Sequence, residues 1–255
     1  MSDTEKGKKS REVAYERVTK KLGALRMAGL LGWDMVLDLT RELVEWEIFA
    51  SPREARAAMR RRYDEDRWLG QRYYPVLIVE KDTLEPICRP IAARWQMPFA
   101  SSRGYSSLKL QHDVAKMLIN RRANTLAKDL INRHTKSGQI ALIYFLSDLD
   151  PSGLDLQRAW EEALQNFGVV CIFVRIGLIH DQVRDNSLKD LAIEVKPSDS
   201  RSKAFVAEHG TSCWEADVLP AAVIEKTIND EIRSWLDQEK WNQRDREIER
   251  ARGLL

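Results

Sequence analysis

The sequence predicts an α/β fold: a parallel sheet with helices on both faces, a short helical region before it and further helices after it. Three observations predict this. Four short apolar stretches occur in YYPVLIVEKD, MPFASSRG, QIALIYFLSDLD and GVVCIFVRIGLI, each too short for a core helix and each reading as a strand. The segments between them are longer and carry helical spacing. The resulting β-α-β-α-β-α-β order, with the crossover hand that parallel strands require, covers a sheet on both sides.

Residues 10–29 predict an amphipathic helix, with Val13, Tyr15, Val18, Leu22, Leu25 and Met27 near a 3.6-residue period, Ser10 as N-cap and Gly29 as stop. LLGWDMVLDLT then reads as a short strand or a turn. Ser51-Pro52, an N-cap followed by proline at the first helical position, opens a helix over 52–67 that carries Arg53, Arg56, Arg60, Arg61 and Arg62. YYPVLIVEKD is the first sheet strand. TLEPICRPIAARWQ predicts a helix strained by Pro86 and Pro90, and MPFASSRG a second short strand. The run from Ser106 to Gly138 reads as one long helix or two. QIALIYFLSDLDPSG contains the strongest strand. SGLDLQRAWEEALQNFG is a helix stopped by Gly168, and GVVCIFVRIGLI a buried strand. Beyond residue 180 the chain predicts loops, then one or two charged helices from Pro220 to Arg252. The expected organisation is a helical region over 1–72, the sheet domain over 73–180, and a loop-and-helix extension over 181–255.

With 41 Lys+Arg against 39 Asp+Glu, the net charge of +2 excludes both a basic tail protein and an acidic disordered one. No run approaches 18 apolar residues, so no membrane span is expected, and MSDTEKGKKSRE lacks the apolar segment of a secretory signal. Cys88, Cys171 and Cys213 are too far apart for a CxxC pair, which supports neither a disulfide framework nor a zinc finger. The expectation is a soluble intracellular protein.

Charge is segregated, however. Residues 1–26 hold eight basic residues against four acidic ones, and residues 103–136 hold eight against only Asp113 and Asp129. Such surpluses make a basic face for a polyanion, or merely solvate a helix face. Lys20, Lys21 and Arg26 in the first stretch, and Arg103, Lys109, Arg121 and Arg122 in the second, are the candidate phosphate contacts.

In open parallel sheets, functional groups collect beyond the carboxyl ends of the strands. The first strand ends in Glu80-Lys81-Asp82, and the strongest strand ends in Ser147-Asp148-Leu149-Asp150-Pro151-Ser152-Gly153. Asp148 and Asp150 are two apart and point to the same side of an extended chain. Carboxylates gathered at an apolar edge repel unless a divalent cation neutralises them, and an all-oxygen donor set without His or Cys suits Mg²⁺. Glu80, Asp148 and Asp150, which cap the two strands expected to be neighbours at the sheet centre, are therefore the candidate Mg²⁺ ligands. The basic residues of 103–136 are expected beside them, holding a phosphate backbone. Lys81 either touches the same phosphate or is a solvated strand-end charge. A D-x-D tripeptide alone is weak; its pairing with a strand-end Glu about 70 residues earlier is the specific part.

That combination, Glu80 in VLIVEKD with Asp148 and Asp150 in IYFLSDLDPSG, resembles the Toprim domain shared by topoisomerases, primases and some nucleases. The D-x-D-P-x-G form is most similar to the A subunit of type IIB topoisomerases (topoisomerase VI). RGYSS at 103–107, RIGLIHDQV at 175–183 and WEADVLP at 214–220 resemble stretches of its stand-alone relatives in phages and plasmids, where the last reads closer to W-E-L-D-A-L-P.

The resemblance covers roughly residues 10–235. It implies a Toprim sheet binding Mg²⁺ and a winged helix, here partial, carrying a tyrosine that attacks DNA. It also implies a homodimer that cuts both strands, association with the nucleoid in the cytoplasm, and an ATPase B-type partner for any strand passage, since no GxxxxGK[ST] motif is present.

The family's R-x-(I/L)-Y-Y tyrosine has no counterpart before residue 10. Tyr15, on the helix expected to approach DNA, is a packing residue, a phosphate contact or a weak nucleophile candidate. Tyr63 is another weak candidate, and Tyr73-Tyr74 reads as core or linker. Trp33, Trp46, Trp214, Trp235 and Trp241 pack either an interface or the core. Two functions follow from the resemblance. One is Mg²⁺-dependent DNA cleavage, in which Glu80 is the candidate base for a metal-activated water if no tyrosine acts. The other is DNA binding without cleavage in a mobile-element or replication system.

Overall fold

The computed structural model describes the backbone of residues 3–32, 35, 46–102, 108–132, 138–183 and 186–254. Side chains at 3–12, 14–15, 122–132, 180–181 and 186–187 lie outside that description. Two units are distinct, Met1–Phe49 and Ala50–Leu255. The first carries α1 (Asp3–Met27), which begins seven residues before the expected Ser10 cap and ends, as expected, just before Gly29 at φ 69°. The expected strand or turn at 30–40 falls largely outside the described residues.

The unit carrying the sheet starts at Ala50 rather than at residue 73, because α2 (Pro52–Arg62) is tied to the C-terminal helix. Arg60 donates to the carbonyls of Arg252 and Gly253 at 2.7 and 3.0 Å. Ser51 caps α2 by accepting from Glu54 N, while the Glu54 carboxylate reaches back to accept from Ala50 N, one residue before the cap. The helix stops at Arg62, five residues short of the expected end.

The sheet contains β1 (Tyr73–Val79), β2 (Phe99–Ser101), β3 (Ile140–Leu146) and β4 (Cys171–Gly177), all parallel, in the order β2-β1-β3-β4. The connections are α3 (Glu85–Arg94), α4 (Leu108–Asn132) and α5 (Pro151–Asn166). Alternation along each strand sorts side chains into two cores. Val76, Ile78, Ile143 and Phe145 face α4 and α5, with Trp160 at the centre. Leu77, Val79, Leu142 and Tyr144 face α3 and the C-terminal helices.

Pro75 is tolerated inside a central strand because β2 pairs only with 77–79. The odd-numbered amides of β1 point to the β2 side, as Leu77 N does to Pro98 O, and at Pro75 that side has no strand. Pro86 falls in the first turn of α3, where it initiates rather than strains the helix; only Pro90 is interior.

After β4 come α6 (His180–Val183), α7 (Asn186–Lys189), β5 (Ile193–Glu194), α8 (Ser202–His209) and β6 (Ser212–Cys213), with β5 and β6 paired antiparallel. The last two elements are α9 (Ala221–Trp235) and α10 (Gln238–Leu254). The 181–255 segment is no separate appendage. Leu188, Phe205, Trp214, Ile228 and Trp241 all belong to the α3-side core. Trp214 and Trp241 are buried and Trp235 packs edge-on against Tyr73 at 4.9 Å, so these three fill the core. Trp46 is exposed and Trp33 lies outside the described residues.

Candidate functional site

The order β2-β1-β3-β4 reverses direction between β1 and β3. At that switch point the connecting helices leave to opposite faces and open a crevice beyond the carboxyl ends. Pairing of Val79 with Leu146 brings both strands to their ends at the same level, and Glu80 N donates to Leu146 O at 2.9 Å. Glu80 and the loop that follows β3 are thereby forced together. Glu80 Oε2 accepts from Asp148 N at 3.0 Å. Two residues 68 apart in sequence thus flank the crevice, both nearly buried at 9% and 7% exposure.

The loop 147–150 is held from three directions. Leu149 and Trp214 exchange backbone hydrogen bonds of 2.9 and 3.0 Å. Arg175, at the head of the 175–183 stretch, donates to Ser147 Oγ at 3.0 Å and to the carbonyls of Ser147 and Asp148. Gly153 lies against the loop so closely that a Cβ there would sit 2.2 Å from Asp148 O, which explains the glycine of D-x-D-P-x-G.

Asp148 and Asp150 do not act as a same-side pair in an extended strand, because the strand stops at Leu146. Asp148 Oδ1 accepts from Ala216 N at 2.6 Å and its Oδ2 lies 3.2 Å from Lys81 Nζ. Asp150 turns to cap α5, accepting from Gly153 N at 2.6 Å.

Lys81 also reaches Glu215 Oε2 at 3.2 Å and Asp217 Oδ2 at 3.6 Å, while Thr83 Oγ1 donates to Asp217 at 2.7 Å. One ammonium therefore serves three carboxylates from two other segments. Beside Asp150 a cleft of about 290 Å³ opens, lined in part by Ser152, Lys196, Arg201 and Glu215.

Burial dominates the electrostatics. It pushes the Glu80 carboxyl up to about 7, with Asp148 and Asp150 adding to the rise while the Asp148 amide and Lys81 oppose it. Burial likewise raises Asp148 despite the Ala216 amide and Lys81. For Lys81, burial works against the charge, but Asp148, Glu215 and Asp217 outweigh it and its pKa is raised. Burial pulls Arg175 down to about 10, against the pull of Glu80, Asp148 and Asp150, and leaves the guanidinium charged at neutral pH.

The donor set is oxygen-only, and Glu80 Oε1 and Asp150 Oδ2 have no hydrogen-bond partner among the described residues, which fits a hard divalent cation in chemistry. As arranged, no group of three or more Asp, Glu, His or Cys among the described residues converges to hold a metal ion. No family model, no curated protein and no solved structure matches the chain.

The described candidates for phosphate contact lie on α1 and α4. Lys20 and Lys21 are exposed on α1, and Arg26 is half-buried there. Lys109 is exposed and pairs with Asp113 at 2.6 Å. Arg103 and the side chain of Arg122 lie outside the described residues.

Arg121 does not stand beside the carboxylates. It stacks on Tyr74 with its guanidinium carbon 4.1 Å from the ring centroid, and it pairs with Asp66 at 2.5 Å. Tyr74 is the second residue of β1, so Arg121 sits at the amino edge of the sheet, about 20 Å of strand away from Glu80. The reason is topological: α4 must return from the carboxyl end of β2 to the amino end of β3.

Among the tyrosines, Tyr63 donates to Glu65, Tyr73 and Tyr74 pack at the start of β1, and Tyr144 is buried against Glu231 O. The Tyr15 side chain lies outside the described residues. Sequence reasoning assigned no role to Arg175, Glu215 or Asp217, although two of the stretches it singled out, 175–183 and 214–220, contain them.

Proposed function

We propose that this chain is a Mg²⁺-dependent DNA-binding and DNA-cleaving protein of the Toprim class, related to the A subunit of type IIB topoisomerases and acting as a homodimer. The observation that carries the reading is the meeting of Glu80 with the Asp148–Asp150 loop across the switch point of a parallel sheet. Glu80, Asp148 and Asp150 would hold the cation, which when bound supplies charge neutralisation at a phosphodiester and a more acidic water.

The chain's own residues do the rest. Arg175 and Gly153 fix the loop that presents the aspartates, and where a metal-activated water attacks, Glu80 is the group placed to take its proton, with Asp148 and Asp150 left as ligands. Among the described residues, Tyr63, Tyr73, Tyr74 and Tyr144 all lie away from this edge. Strand passage would require an ATPase B-type partner.

The test is incubation of end-labelled DNA with protein and Mg²⁺, followed by denaturing electrophoresis before and after protease. Cut DNA that carries no protein, and is lost in Glu80→Ala, is the expected result. A label at protein mass that disappears in Tyr15→Phe points instead to a topoisomerase-like transesterification.

A second reading, DNA binding without cleavage, is favoured by one observation. Asp148 is already engaged by Lys81 and Ala216, and Asp150 by Gly153. Absence of product with Mg²⁺ or Mn²⁺, alongside retained DNA binding, selects it.

A further inference from the structure

Lys81 immediately follows the buried Glu80 and points into the same crevice. Its Nζ lies 3.2 Å from Asp148 Oδ2, 3.2 Å from Glu215 Oε2 and 3.6 Å from Asp217 Oδ2. These contacts are of two kinds. Asp148 belongs to the buried loop after β3, where its other oxygen is fixed by Ala216 N. Glu215 and Asp217 belong to the neighbouring segment and are exposed at 55% and 41% of their side chains, with Asp217 steadied by Thr83. The lysine itself is only 24% exposed. A buried carboxylate needs a compensating charge, and here Lys81, at the end of the neighbouring strand, provides one to Asp148.

We propose that Lys81 is the built-in counter-ion of this site, resting on Asp148 while no divalent cation is bound and withdrawing to Glu215 and Asp217 when one takes its place. The proposal rests on the reading that the Glu80–Asp148–Asp150 edge takes a divalent cation. An ammonium and a dication cannot both sit within contact distance of Asp148 Oδ2, since like charges at that range repel strongly in a partly buried setting. Withdrawal is cheap because the side chain is long and two acceptors are already in contact. The exchange keeps the edge near charge balance in both states. It also sets a threshold: cation affinity is lowered by the cost of displacing the lysine, so the site fills only when divalent cation is abundant or a phosphate adds its own ligands.

The test uses the full chain and Mg²⁺ alone. Titration calorimetry of Lys81→Gln should show Mg²⁺ binding about tenfold tighter than wild type, the effect of removing one nearby positive charge. Its melting temperature should be below wild type in EDTA and equal to it in saturating Mg²⁺, because the cation then replaces the missing ammonium. Lys81→Arg, which keeps the charge, should retain both wild-type values.

A position-specific measurement guards against a variant that does not fold. Reductive ¹³C-methylation preserves the lysine charge, and the Lys81 methyl signal, assigned by its absence in Lys81→Arg, should move on Mg²⁺ addition. Mg²⁺ binding to wild type with a stationary Lys81 signal, or equal affinity in Lys81→Gln, overturns the counter-ion exchange and leaves the metal reading intact. No Mg²⁺ binding by either protein at millimolar concentration overturns the metal reading and the exchange with it.

Discussion

Glu80 shows how one residue couples burial to function. Its carboxyl sits at the mouth of an apolar strand pair and is pushed up to about 7 by burial, with Asp148 and Asp150 adding to the shift. Since its ordinary value is near 4.5, the folded chain holds a proton there that the unfolded chain releases earlier. The resulting stability is present in full below about pH 4.5 and is lost as pH rises through about 7. Gln mimics the protonated acid at every pH. In EDTA, Glu80→Gln should therefore gain stability over wild type progressively between those limits, by about 3 kcal/mol at pH 8. Chemical denaturation at pH 5 and pH 8 checks this, and a difference independent of pH contradicts it. Glu80, Asp148 and Asp150 were legible in sequence because each ends or follows an apolar run. Glu215 and Asp217 were not: they lie in a loop with no periodicity, and only the reach of Lys81 across the crevice gives them a role.

At the scale of elements, the D-x-D-P-x-G segment does two jobs. Asp150 is the N-cap of α5, Pro151 stands in its first turn, and Gly153 lets that turn close on Asp148. The turn signals in the sequence foretold the start of α5, but not that Asp150 would rotate away from Asp148 to cap it. Gly153→Ala places a methyl against backbone that cannot yield. It should cost about 1–3 kcal/mol and loosen the hold of Arg175 on Ser147. Gly253→Ala, where a Cβ meets nothing within 4 Å, should be near neutral. Denaturant midpoints of the two variants compare these directly; equal midpoints would mean the loop adapts to the added methyl.

The whole molecule decides where charge can act. The basic stretch 103–136 reads in sequence as one surface, yet its helix crosses from one edge of the sheet to the other. Arg121 ends up locking Tyr74 and Asp66 rather than facing the carboxylates. DNA affinity should fall steeply between about 50 and 200 mM salt, because phosphate neutralisation releases counterions. Charge reversal at Lys20 and Lys21 should weaken binding and flatten that slope at unchanged melting temperature. Arg121→Glu should instead lower the melting temperature, since Asp66 loses its partner and Tyr74 its stacked cation. Fluorescence anisotropy over a salt series, paired with thermal melts, separates the two effects. A flat salt response contradicts electrostatic binding. No helix among the described residues is long and apolar enough to cross a membrane.

The sequence by itself determined the strands, the helices between them, and two acidic strand ends, because apolar run length, glycine and proline stops and capping residues are local signals. The alternation of strand and helix also pointed to a parallel sheet, because each connection is long enough for the crossover that parallel neighbours need. Of their order, only the adjacency of the two acid-tipped strands, β1 and β3, at the sheet centre was expected; the full order was decided in three dimensions. Placing β3 beside β1, and β2 on the far side, depends on which helix packs on which face, a matter of core complementarity between residues far apart in the chain. That order alone makes Glu80 and Asp148 neighbours, sends Arg121 to the opposite edge, and delivers Glu215 and Asp217 to Lys81. The physical reason is range: periodicity and capping act within a few residues, whereas burial, counter-charge and the crevice between two diverging helices exist only once the sheet has closed its pairs.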